Sequence, residues 1–216
     1  MPSLLKRWYP IVLALIGVAT SLAVFDRLPA HVAAHWDLVG NPNGWVSRPV
    51  AAFLTPVVLL GVWALLRAAP LIDPRRENYN KFTSAYDITV AATLLLLFVM
   101  HLIVLALGLG YHVAIARLGP AMLGALFLII GNVMPLARSN FMFGLRTPWT
   151  LSNDRVWTRT HRLAGYTMSG AGLLIIAAAV VLRPDVINEV VIAAIVTAIA
   201  GPVVYSYLTW KREMKQ

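Results

Sequence analysis

Residues 88–110 read ITVAATLLLLFVMHLIVLALGLG, twenty-three positions with one histidine and no charged side chain. A hydrocarbon core of about 30 Å takes roughly 20 apolar residues in helical form, so this stretch alone can cross a bilayer. Working outward, five more apolar runs lie at 9–25, 50–66, 118–136, 163–182 and 186–208. Lipid offers no partner to a backbone N–H or C=O, so each run is expected as a helix that satisfies its own backbone. The expected fold is all-α, a polytopic membrane protein with six transmembrane helices and residues 1–216 in a single membrane domain.

Composition points the same way. The chain is 59% hydrophobic and 12% charged, with a mean hydropathy of +0.74, outside the range of soluble domains. It has no cysteine, which excludes disulfides, thiolate metal sites and thiol redox chemistry. The first run follows Lys6 and Arg7, but it is longer than a signal-peptide core and no A-x-A site follows closely, so it reads as a span.

With six crossings, the N-terminus, 67–87, 137–162 and the C-terminus share one side and hold fourteen of the 18 Lys and Arg. The other side holds Arg27, Arg48, Arg117 and Arg183, balanced by Asp26, Asp37, Asp185 and Glu189. The positive-inside rule therefore puts both termini in the cytoplasm. The net charge of +9 then suits anionic lipid headgroups, and no direct nucleic-acid partner is expected. Trp8, Tyr9, Tyr111, Tyr205, Tyr207 and Trp210 mark the interfaces. Gly17 with Ser21 and Gly165 with Ser169 are small residues four apart, which lets helices approach closely.

Two loops carry the polar detail. The outer one, within 26–48, contains PAHVAAHWDLVGNPNGWVSRP at 29–49. On a helix, His31 and His35 would share a face, with Asp37 nearby, and would be weak candidates for a metal. The Glu of H-E-x-x-H is missing, so no metal and no cofactor is assigned. The turn formers from Gly40 to Gly44 predict a tight fold-back with Trp36 and Trp45 at the membrane surface. Such a loop can serve as a receptor surface or as a cap over helix ends. The segment 70–87 reads as an ordinary solvated connector with a short surface helix.

The inner loop, within 137–162, is part of LARSNFMFGLRTPWTLSNDRVWTRTHRLAG at 136–165. Five arginines alternate here with Asn140, Thr147, Thr150, Thr160, His161 and the rings of Trp149 and Trp157. Pro148 interrupts regular structure. The Ser152, Asn153, Asp154 cluster predicts a helix cap, followed by a short amphipathic helix on which Trp157 and His161 share one face. Membrane anchoring does not need this many Asn, Thr and Pro, so a folded functional loop is expected. Within the spans, His101 reads as an interhelical hydrogen bond. Asn132, beside Gly131 and Pro135, reads as a kinked, hydrogen-bonded coupling site. No nucleophile elbow, P-loop, dinucleotide fingerprint or paired intramembrane carboxylates occur, so a non-enzymatic role is expected.

These loops resemble the SdpI family of bacterial immunity and signalling membrane proteins. His35, Trp36 and Asp37, then Gly40 to Trp45, look like its outer H-W and G-x-P-x-G pattern. Gly131 and Asn132, then Asn140, Gly144, Arg146, Thr147, Pro148, Trp149, Thr150 and Leu151, then Trp157, Thr160, His161 and Gly165 look like its second signature. The resemblance implies a six-helix protein of the bacterial inner membrane that protects its producer against a secreted peptide toxin met at the outer face. It also implies signalling to a cytoplasmic transcriptional repressor. The residues expected to carry these contacts are His35, Trp36, Gly40 and Trp45 outside, Asn132 in the bundle, and Asn140, Arg146, Thr147, Pro148, Trp149, Trp157, Thr160 and His161 inside. The competing reading is a small-molecule or lipid transporter, or a lipid-binding protein, whose Arg and His loop holds an anionic headgroup.

Overall fold

A computed structural model describes residues 3–37 and 39–215, with side chains from Trp8 onward. The side chains of Lys6 and Arg7, and Leu38 of the outer loop, lie outside the described residues. The elements run α1 (Ser3–Val24), β1 (His31–Trp36), β2 (Pro42–Ser47), α2 (Arg48–Ile72), α3 (Thr83–Gly108), α4 (Ile115–Val133), α5 (Pro148–Ser152), α6 (Asp154–Val181) and α7 (Pro184–Glu213). Among the described residues, six of the seven α-helices, all but the short α5, are long and apolar enough to cross a membrane. The helices extend past the predicted runs because the backbone ladder continues into polar residues beyond the hydrocarbon. The expected short helix after 154 is thus the first turns of α6 itself, capped by the Asn153 side chain, which accepts from the N–H groups of Arg155 and Val156.

The first three helices pack on one another around Ala14, Leu59, Val90 and Leu94. A polar pin crosses them: His101 of α3 lies against the Ser21 hydroxyl (3.0 Å) and the Gly17 carbonyl (3.2 Å) of α1. Ser21 in turn donates to the Ala52 carbonyl of α2 (2.6 Å). Each such bond replaces an unsatisfied polar group in hydrocarbon, so His101 is the interhelical hydrogen bond its position predicts.

Of the last three spans, α4 and α6 pack along a seam of glycines, while α7 packs on α6 through Ala171, Ile175, Ala194 and Ala198. A Cβ on Gly124 of α4 would come within 2.8 Å of the Gly172 carbonyl of α6. A Cβ on Gly131 would come within 2.6 Å of Ser169, and one on Gly165 within 2.7 Å of Pro135. The antiparallel helices thus meet at Gly124 against Gly172 and Gly131 against Gly165, two turns apart along each helix, and dispersion between backbones does the work that side chains do elsewhere. Arg117 near the start of α4 donates to the Ala179 (2.8 Å) and Val180 (3.0 Å) carbonyls at the end of α6, where a cation complements the helix dipole.

The outer loop departs from the all-helical expectation. β1 and β2 form an antiparallel hairpin that pairs Val32 with Val46 and His35 with Gly44. His31 and His35 therefore lie on a strand, where four residues span about 13 Å, so they are not neighbours that share an ion. Among the described residues no three His, Asp or Glu side chains gather as a metal site. Val32 and Leu28 are buried with Ala51, Ala52 and Leu105, which seats the hairpin on α2 and α3. At its tip Gly40, at φ +92°, rests on Ile115 and Ala116 of α4.

Candidate functional site

The signature loop closes on itself through a few side chains. Asn140 is fully buried. Its Oδ1 accepts from the N–H groups of Met142 (2.9 Å) and Phe143 (2.6 Å) and from the Tyr79 hydroxyl (3.2 Å), while its Nδ2 donates to the Arg138 carbonyl (2.7 Å). An asparagine whose amide accepts three bonds and donates another in this way fixes a turn that has no helix or sheet to support it. Gly144 follows at φ +95°. A Cβ there would overlap the imidazole of His161.

His161 is likewise fully buried. The Leu145 N–H donates to its Nε2 (3.0 Å), so the proton sits on Nδ1 and is donated to the Trp157 carbonyl (2.9 Å). The ring stacks on Trp157, with centroids 4.0 Å apart, and the Trp157 indole N–H donates to the Ala137 carbonyl (3.0 Å). One face of α6 thereby grips both ends of the loop. Thr147 caps α5 through a reciprocal box with Thr150, whose hydroxyl also donates to the Leu145 carbonyl (2.8 Å). The Thr147 hydroxyl lies 3.2 Å from that of Ser206, and Trp149 packs on Tyr207, so α7 is tied in as well.

The segment after α2 completes the site, which corrects the expectation of a plain solvated connector. Asp73 is buried, and its carboxylate accepts from the N–H groups of Arg75 (2.7 Å) and Phe141 (2.8 Å) and from the Tyr79 hydroxyl (3.1 Å). Arg75 donates to the Ser139 hydroxyl and the Leu151 carbonyl (2.9 Å), and Asn78 donates to the Ser139 carbonyl (2.8 Å). Burial, with Asp73 beside it, pushes the Tyr79 phenol well above its usual pKa. The two loops interlock, and 73–79 acts as the second half of the site.

The expected site residues separate by placement. Trp157, Thr160 and His161 are buried and build the loop from within, while Arg146 and Pro148 are exposed. Arg146 reaches back to the Phe141 carbonyl (2.8 Å). Asn132 faces outward and donates to the Leu128 carbonyl of its own helix (2.7 Å), so Gly131 and Pro135, rather than the amide, make the contact with α6. On the hairpin Trp45 is 57% exposed, His35 is exposed beside Asn43, and Trp36 is half-buried. The Asp37 carboxylate accepts from the N–H groups of Asn41 (2.8 Å) and Val39 (3.0 Å), bonds led by that of Asn41 that lower its pKa. Sequence reading missed Asp73, Arg75, Tyr79 and Ser139; a Tyr and an Asp within a short polar loop were the available signal.

The model of the SdpI/YfhL protein family matches residues 136–206. That of a domain of unknown function (DUF1648) matches residues 12–60, which hold most of α1, the hairpin and the first half of α2. The immunity protein SdpI of Bacillus subtilis (strain 168) is 30% identical over 171 residues, 79% of each chain. No solved structure matches. A likeness that runs through most of both chains, with six helices fit to span a membrane, makes this a multi-pass protein of the bacterial cell membrane that belongs to the SdpI family.

Proposed function

We propose that the chain is a non-enzymatic immunity and sensor protein, with both termini cytoplasmic, that protects its cell against a secreted peptide toxin acting on the membrane. The observation that carries this is the likeness to an immunity protein over 79% of each chain. In this reading the toxin meets the outer hairpin, where His35 and Trp45 are exposed. The signature loop is the inner relay, and its exposed Arg146, Pro148 and Met142 present the surface a cytoplasmic repressor would engage. The exposed inner arginines Arg76, Arg138 and Arg162 meet anionic headgroups. A toxin shifts the bundle only if it binds one packing more tightly than another, and the hairpin tip against α4 offers a contact that two packings would make differently.

The test is survival of a sensitive bacterium that expresses the chain and is challenged with a membrane-active peptide toxin. The intact chain protects, and an Arg146→Ala, Trp149→Ala double variant at equal membrane level loses protection. Full survival with the double variant would remove the loop from the function.

A further inference from the structure

Away from the signature loop, a cavity of about 620 Å³ opens between α1, α2, α3 and α4. Its composition is ordered along the helix axis. Arg67, Ser84 and Asp87 lie at the end nearest the 73–82 loop, with Tyr9 on the wall. Leu13, Trp63, Ile88, Ala92, Leu95 and Ile129 line the rest. On α3 the lining runs from Ser84 to Leu95, and eleven helical steps make about 16 Å. That is close to half of a hydrocarbon core of about 30 Å, the depth of one leaflet.

We propose that this cavity holds one acyl chain of a glycerophospholipid whose phosphate is recognised by Arg67. Three observations choose this occupant. The cavity lies within helices that span the membrane, where the surrounding medium is lipid. Its polar groups sit at one end and its apolar lining at the other, matching a headgroup above a chain. Arg67 is half-exposed and, among the described residues, lies 3.5 Å from Asp87 through one guanidinium nitrogen, leaving guanidinium N–H groups for a phosphate diester. The Tyr9 hydroxyl is buried with no hydrogen-bond partner among the described residues. An ester oxygen of the glycerol backbone is the kind of acceptor it lacks. The small side chain of Ala92 leaves the volume open.

The experiment uses the full-length chain, delipidated in mild detergent and titrated with phosphatidylglycerol or with a diacylglycerol of identical chains, bound lipid being counted by native mass spectrometry. One phosphatidylglycerol binds per chain, at least tenfold more tightly than the diacylglycerol. Arg67→Gln abolishes that preference. Ala92→Phe, which fills the cavity, removes binding of both lipids, while Arg183→Ala at the far side changes neither. Each variant is compared at equal monodisperse elution and thermal midpoint. Equal binding of the two lipids by the intact chain, or undiminished binding by Ala92→Phe, would overturn the proposal.

Discussion

Alanine at Gly144 tests whether the imidazole of His161 organises the signature loop. The substitution acts twice. The backbone there is at φ +95°, a region that costs a residue with a Cβ about 1–2 kcal/mol. The new methyl also takes the space of Nε2, so His161 must move and give up its bonds to the Leu145 N–H and the Trp157 carbonyl. Two buried hydrogen bonds lost, with their partners left unsatisfied, add about 2–4 kcal/mol, for a total of about 3–6 kcal/mol. The assay is amide hydrogen exchange at Leu145 in detergent micelles. Every 1.4 kcal/mol is a factor of ten, so exchange there accelerates about 10²- to 10⁴-fold, while the Asn153-capped start of α6 changes far less. Removing the imidazole clears the clash, so a Gly144→Ala, His161→Ala double variant is less destabilised than the sum of the two single variants, by about 0.5–3 kcal/mol. Leu145 protection within threefold of the parent, or strict additivity in the double variant, would refute the reasoning.

Other positions give sharper contrasts of sign. Gly172→Ala drives a methyl into the α4 backbone near Gly124 and Leu128, which is expected to cost about 1–3 kcal/mol; Gly170→Ala, which meets nothing within 4 Å, is neutral or stabilising by up to about 1 kcal/mol, and thermal melts of the pair in one detergent decide the point. Tyr79 has a raised pKa, so above the usual tyrosine range of about 10 the unfolded chain releases a proton that the folded chain keeps, and stability falls as pH rises. Tyr79→Phe should flatten that alkaline slope in pH-dependent melts, and an unchanged slope would locate the effect elsewhere. Asp37 has a lowered pKa, so its contribution to the hairpin turn is present above the usual carboxylate range and is lost as pH falls through the folded value. Exchange at the Asn41 amide should therefore lose protection at acid pH in the parent and lack it at neutral pH in Asp37→Ala, which has no side-chain acceptor.

How much of this was legible follows from what each physical signal encodes. The thickness of the bilayer imposes a length, so the six spans could be read from runs such as 88–110. Their ends could not, because a helix such as α6 continues on its own hydrogen bonds from Asn153 well before the hydrocarbon begins. The fold-back of this loop was legible in the turn formers from Gly40 to Gly44, but its strands were not, because the histidine spacing suits a helix or a strand and only pairing across the 37–41 turn separates the two. Trp157 and His161 were rightly put on one face, yet the direction of that face depends on Gly144 and Leu145. The Asp73 and Tyr79 half of the site joins residues more than sixty positions away, a contact that no local pattern records.

The clasp between 73–79 and 139–151 has a mechanical consequence. Direct bonds through Asp73, Arg75, Asn78 and Tyr79 hold α2 and α3 to the loop between α4 and α6 at one end of the bundle. At the opposite end, among the described residues, Gly40 of the hairpin tip rests on Ile115 and Ala116 of α4 by packing alone. Such a body is stiff at one end and compliant at the other, like the arms of a peg beyond its spring. If the hairpin were pushed, the geometry would give it a long lever arm, and the clasp at the other end would turn the displacement into a small rotation about a fixed fulcrum.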